Sequence, residues 1–308
     1  MIITVFFQMM SLLLMIIIGI AAARYGILDE HTNRQLSNLI VNIFNPLLVV
    51  SCTAEMIGTL SLKRFGQISF LALVMFIIYI FIGTVSAFFY DKDLMQQKIY
   101  KLMFTFSNLG FIGVPVVKMV LGQKYVGYVA VFMLVYTVVF YTYGLIMLEG
   151  TYTKDSLKTM VNPGNICWLI SMILVLFQIQ LPEFLKTTLS YLGNTTTPLA
   201  LMSVGYVLAT IQKKEWRKMV CDTWIYVYTF IKMILLPLLM YAGLKFFKTD
   251  PVILPVCLIM FGMPNGNMPL MLGTKKGIDC RRCTTGIIMT TILSVITIPL
   301  ILYFATKI

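Results

Sequence analysis

Ten apolar stretches of near-uniform length follow one another through this chain. They lie at about 3–23, 36–56, 66–89, 98–121, 125–148, 163–181, 186–210, 218–243, 251–273 and 284–306. A helix crosses the hydrocarbon core with roughly 20 mostly apolar residues, and lipid tolerates only helices or closed barrels. The pattern therefore predicts an all-α membrane protein with ten transmembrane helices. The connectors are short, and even the central one, near 149–161, leaves no room for a separate soluble domain. Residues 1–308 read as a single polytopic unit.

Charge agrees with that assignment. Only 12% of the 308 residues are charged, against about 25% in soluble domains. A net charge of +12 would point to nucleic acid in a soluble chain, but here the charges sit at span ends. With the N-terminus outside, fifteen of the 24 Lys and Arg residues fall in inward loops and eight in outward segments. The one left over, Lys232, is inside a span. The excess of positive charge on the inner side predicts a multi-pass protein of the plasma membrane with both termini outside and no nucleic-acid partner. The opening stretch is read as the first helix, because it lacks a basic n-region and its apolar run exceeds a signal peptide's.

Six cysteines are scattered, and only Cys280 and Cys283 share a suggestive spacing. A structural zinc site takes four ligands, and the sole histidine, His31, is remote. No cofactor and no metal is expected. The same inventory argues against an intramembrane enzyme: HExxH and GxGD signatures are absent, and His31 lies in a loop.

Helix breakers recur in register. The second span contains Asn45-Pro46 and the seventh Thr197-Pro198, with a spacing of 152 between the prolines (198 − 46). The fourth contains Asn108-Leu-Gly110-Phe-Ile-Gly113-Val-Pro115. The ninth contains Pro264-Asn265-Gly266-Asn267-Met-Pro269, and Pro115 and Pro269 are 154 apart (269 − 115). Two halves, 1–149 and 162–308, thus repeat one plan, and five spans per half forces them into opposite orientations. Inverted repeats of this kind place the binding site where discontinuous helices meet at mid-depth. The fold class is a 5+5 inverted repeat with broken crossover helices 4 and 9.

The interrupted stretches suit an anion. Pro115 and Pro269 are each placed to begin a second half-helix, where the missing proline donor costs nothing and the first amides carry about half a positive charge. Asn108 and Asn265 add amide donors, with Asn267 a weaker candidate. Gly110, Gly113 and Gly266 allow close approach, and Pro264 opens the second break. Lys232 starts at mid-bilayer, where a charge costs about 2.5–3.5 kcal/mol or more unless it faces the protein interior. It is expected to act as a nearby charge or a tie between helices. Glu55 and Glu149 lie toward span ends, and Asp222 about a turn inside the eighth span. Tyr136, Tyr141 and Tyr143 fall on the fifth span and are explained by packing or interface placement.

These motifs resemble the auxin efflux carrier family, whose bacterial members include malate and malonate permeases, and the resemblance covers essentially the whole chain. It rests on Asn108 with Gly113-Val-Pro115, Pro264-Asn265-Gly266 with Pro269, Ser203-Val-Gly205 after Pro198, and Lys232 five residues before Pro237. The resemblance implies a fold like that of sodium/proton antiporters. Scaffold helices at about 3–56 and 163–210 would support transport helices at about 66–148 and 218–306. It also implies elevator-like alternating access and a homodimer in membrane lipid. The implied function is a permease moving a small organic anion, held at the crossing of helices 4 and 9. Two features depart from the plant carriers: the long cytoplasmic loop is missing, and Ser61-Leu-Lys63-Arg64 stands where they carry an acid. A sodium-coupled symporter of the bile-acid type and a channel-like sensor are the alternatives on the same fold.

Overall fold

The structure, a computed structural model, describes residues 2–55, 57, 61–90, 92–144, 146–147, 163–211, 221–275 and 277–306. The central connector with Glu149, Lys154 and Lys158, and the basic run of Lys213, Lys214, Arg217 and Lys218, lie outside the described residues. So does the side chain of Tyr141.

Every one of the ten apolar stretches contains helix. In chain order the α-helices are α1 (Ile2–Arg24), α2 (Glu30–Leu39), α3 (Asn45–Ala54), α4 (Leu62–Tyr90) and α5 (Leu94–Thr105). Then come α6 (Val114–Leu121), α7 (Val126–Val139), α8 (Pro163–Leu176), α9 (Glu183–Asn194) and α10 (Thr196–Thr210). The last are α11 (Thr223–Phe230), α12 (Leu236–Phe246), α13 (Leu254–Phe261), α14 (Met268–Lys275) and α15 (Arg281–Thr306). Five helical stretches among the described residues are long and apolar enough to cross a membrane: Glu30–Ala54, Lys63–Tyr90, Gln123–Gly144, Thr223–Phe246 and Arg281–Tyr303. Met10–Arg24 and Pro163–Leu176 are shorter apolar helices.

Proline accounts for three of the four π-turns among the described residues; the fourth, Phe140–Gly144, has no proline near it. The three occupy Ile40–Phe44, Leu109–Gly113 and Ile231–Leu235, and each ends two residues before a proline: Pro46, Pro115 and Pro237. A proline ring collides with the carbonyl four residues back and offers it no donor. Widening the preceding turn removes the collision without stopping the helix. Asp29, Asp93 and Asp222 start helices as caps, accepting from Thr32, Met95 and Trp224 at 2.7, 2.9 and 3.1 Å. Asp222 therefore caps α11 instead of lying a turn within its span. It also meets Arg282 at 3.1 Å.

Burial follows from helices that are apolar all round. On α4, Ile68, Ala72, Met75, Phe76 and Tyr79 are buried, while Phe70, Leu73, Ile77, Phe81 and Phe88 face outward. A helix hydrophobic on every side belongs inside a large core or in lipid. Two clusters of mutual packing stand out: α1 with α10, and α3 with α8 and α9; elsewhere α4 with α5 and α7, and α15 with α11 and α13. The α1–α10 contact is backbone on backbone. A Cβ at Gly19 would run into the backbone of Met202, and one at Gly205 into that of Ile16, as expected where small residues let membrane helices close up.

Candidate functional site

The two interruptions meet. After α5 the chain leaves the helix at Phe106, and after α13 it leaves at Gly262. Ser107 and Asn265 then form an isolated antiparallel bridge. The Asn108 amide donates to the Pro264 carbonyl at 2.7 Å, and the Gly266 amide donates to the Phe106 carbonyl at 2.9 Å. Unwound backbone deep in an apolar protein must find partners, and each break supplies the other's. Gly266 cannot be replaced without movement, since a Cβ there would lie 3.1 Å from the Ser107 carbonyl oxygen and 3.2 Å from that of Phe106.

Helix winds onward from both breaks. On one side the π-turn Leu109–Gly113 comes first, closed by the Gly113 amide on the Asn108 carbonyl at 3.1 Å. Pro115 follows as the second residue of α6, so winding resumes at Leu109 and not at the proline. On the other side Pro269 is the second residue of α14. The π-turn starts two residues after Ser107 and α14 three residues after Asn265, so both helix starts follow directly from the bridge, the Leu109 amide donating to the Ser107 carbonyl at 3.0 Å. Gly113 faces Met260, where a Cβ would stand 3.0 Å from the Cε atom, and Gly110 faces the Asn45 amide, 3.3 Å from such a Cβ. Asn45 carries a buried, unpartnered Oδ1.

Asn108 is buried at 7% exposure and Asn265 at 0%. The Asn265 amide nitrogen of the backbone donates to Thr290 Oγ1 at 3.1 Å, and its side-chain Oδ1 accepts from the Tyr228 hydroxyl. That fixes the amide's orientation and turns Nδ2 toward Gly286, where it has no hydrogen-bond partner. Ser107 Oγ is likewise buried and unpartnered. Asn267 is half-buried, two residues after the bridge. A buried amide N–H without a partner costs about 1–3 kcal/mol, so the crossing keeps unused donor capacity.

The carbonyl ends of the first half-helices are closed by side chains. Lys232, fully buried, donates from Nζ to the carbonyls of Met103 at 2.9 Å and Phe104 at 2.5 Å, in the last turn of α5. Tyr228 also reaches the Met103 carbonyl, at 3.0 Å. Across the crossing, the Tyr79 hydroxyl donates to the Phe261 carbonyl at the end of α13. Aromatic rings wall this region: Phe104 stands 4.8 Å and Tyr100 5.3 Å from the Tyr228 ring, and Tyr136 lies edge-on to Phe106 at 5.2 Å. No Asp or Glu is buried among the described residues.

The structure thus brings Asn108, Pro264, Asn265 and Gly266 into direct contact and seats Lys232 beside them. Ser107, Tyr228, Thr290, Tyr79 and Asn45 join them without having been expected. A separate small, half-open pocket of about 20 Å³ lies between α3, α4, α7 and α8, lined by Thr53, Phe65, Leu134, Trp168 and Ser171 among others, and includes neither Ser107 nor Asn265.

Comparison with known proteins fits this arrangement. A family model described as "Membrane transport protein" matches residues 4–155 and again 151–302, one match to each half. An uncharacterized transporter of Methanocaldococcus jannaschii is 26% identical over 306 residues, covering 94% of this chain and 94% of that protein. The described residues are mainly helical, with long apolar helices, two paired breaks and a buried lysine, and the two family matches together, like the match to the relative, run nearly end to end. It belongs to the auxin efflux carrier family of membrane transport proteins.

Proposed function

We propose that this protein is a secondary transporter of small organic anions, built as ten spans in a 5+5 inverted repeat, with its solute held where the fourth and ninth spans cross. The observation that carries the proposal is the reciprocal backbone pairing of the two breaks at Ser107 and Asn265. Pairing sets two helix starts beside one buried point, and each favours a carboxylate by about 0.3–2 kcal/mol depending on burial. Asn265 Nδ2 and Ser107 Oγ, buried and unpartnered, are donors of the kind a carboxylate oxygen takes. Asn108, Gly110, Gly113, Pro115, Pro264, Asn265, Gly266 and Pro269 form the proposed binding set, with Asn267 at its edge and Lys232 behind it.

Movement is proposed to be elevator-like. Helices α1–α3 and α8–α10 form the scaffold, and α4–α7 with α11–α15 carry the crossing. The ion pairs and polar ties support alternating spans, because they join only ends that the charge pattern puts on one side. Asp222–Arg282 and Gln96 to the Asp279 carbonyl are inward, and Arg64–Asp250 is outward. The resemblance adds a plasma-membrane homodimer.

The test is uptake of a labelled dicarboxylate or aromatic carboxylate into liposomes containing the purified protein. Asn108→Ala should lower uptake at least tenfold while the protein remains monodisperse. Undiminished uptake removes Asn108 from the site, and no carboxylate uptake at all by the unaltered protein defeats the anion reading.

A further inference from the structure

Lys232 occupies an unusual position for a membrane lysine. It sits in the π-turn Ile231–Leu235, midway along the α11–α12 stretch, and is 0% exposed. Its nitrogen binds the Met103 and Phe104 carbonyls and lies 5.1 Å from the centre of the Tyr79 ring. Those carbonyls end a half-helix, where the peptide dipoles sum to about half a negative charge. In transporters built on discontinuous helices, such carbonyl ends are the groups that coordinate a coupling cation. The lysine ammonium stands where that cation would be.

The repeat makes the point sharper. Tyr79 and Lys232 are 153 residues apart (232 − 79), within the 152–154 spacing of the paired prolines. In the proposed repeat they are equivalent positions, and Lys232 Nζ lies over the Tyr79 ring. Each closes the end of one broken helix, Lys232 that of α5 and Tyr79 that of α13. One end receives a lysine Nζ and the other a tyrosine hydroxyl. No carboxylate is buried among the described residues, so Lys232 Nζ faces the helix-end carbonyls and the Tyr79 ring instead of a full negative charge.

We infer that Lys232 is a tethered substitute for a coupling cation, so that the crossing carries its positive charge without sodium. Removing the side chain back to Cβ would then leave a carbonyl-lined position that a free monovalent cation can enter. The inference goes beyond anion transport and does not depend on which solute is carried.

The experiment needs no solute. The purified full chain is melted in the chlorides of sodium, ammonium and N-methyl-D-glucamine at equal ionic strength, with no carboxylate added. The unaltered protein should melt at the same temperature in all three. Lys232→Ala should melt lower in N-methyl-D-glucamine and recover by about 3 °C or more in sodium or ammonium, as binding to the folded state requires. Lys232→Met, which fills the space without charge, should not respond. Sodium stabilisation of the unaltered protein overturns the inference, and so does a folded Lys232→Ala variant indifferent to the cation. If Lys232→Ala does not fold, Lys232→Ser opens the same position and is read the same way. Failure of carboxylate uptake would defeat the anion reading while leaving this result standing.

Discussion

Asn265 has its backbone amide on Thr290 and its side-chain oxygen on Tyr228, with Nδ2 left over. The Tyr228 hydroxyl has one proton and two acceptors in reach, Met103 O and Asn265 Oδ1. Tyr228→Phe strips that donor from a buried site and should destabilise the protein by about 1–3 kcal/mol, read as a lower melting temperature. Tyr191→Phe, at a residue 74% exposed, should leave the melting temperature where it was. At this scale the sequence was legible where a residue type is costly in lipid. An amide or an ammonium at mid-span demands an explanation, so Asn108, Asn265 and Lys232 stood out. Tyr79, Tyr228, Ser107 and Thr290 did not, because hydroxyl side chains are ordinary in membrane helices and only their partners distinguish them.

Helices in this protein are shaped by where they cannot be regular and by where they must come close. Gly205→Leu drives a side chain into the backbone of α1 at Ile16, and overpacking of this kind costs about 1–3 kcal/mol or more. A Cβ at Gly243 meets nothing within 4 Å, so Gly243→Ala should melt no lower than the unaltered protein. Comparing the two variants by thermal melting checks the claim that α1 and α10 are held by backbone contact. The paired prolines were readable from spacing alone. The π-turns before Pro46, Pro115 and Pro237 were not, because a proline announces a lost hydrogen bond without saying whether the chain breaks, bends or widens. Their settings differ: after Ser107 the turn toward Pro115 follows the paired break, and the turn before Pro237 itself carries Lys232.

For the whole molecule, the proposed motion makes one demand. The contact between Lys118 Nζ and Asn194 Oδ1, at 2.8 Å, bridges the proposed carrying and scaffold groups and must break if one slides past the other. In a cysteine-free background, Lys118→Cys with Asn194→Cys joined by a short thiol cross-linker should abolish uptake, and cleaving the linker should restore it. A cross-link between α1 and α10, both in the scaffold, should leave uptake intact. The apolar runs were enough to identify a helical, multi-pass membrane protein, since hydrophobic length is a local property. The proposed grouping of helices rests on the family resemblance, because it depends on which apolar faces meet, and faces apolar all round carry no address.

The joint between Ser107 and Asn265 uses main-chain atoms alone: Asn108 N to Pro264 O and Gly266 N to Phe106 O. Its geometry is therefore indifferent to most side chains mounted on it, glycine at 266 excepted. If the proposed binding set holds the solute, exchanging Ser107, Asn108 or Asn265 would retune what is gripped while the main-chain girder stays in place, giving a lineage of such proteins room to change cargo without redesigning the machine.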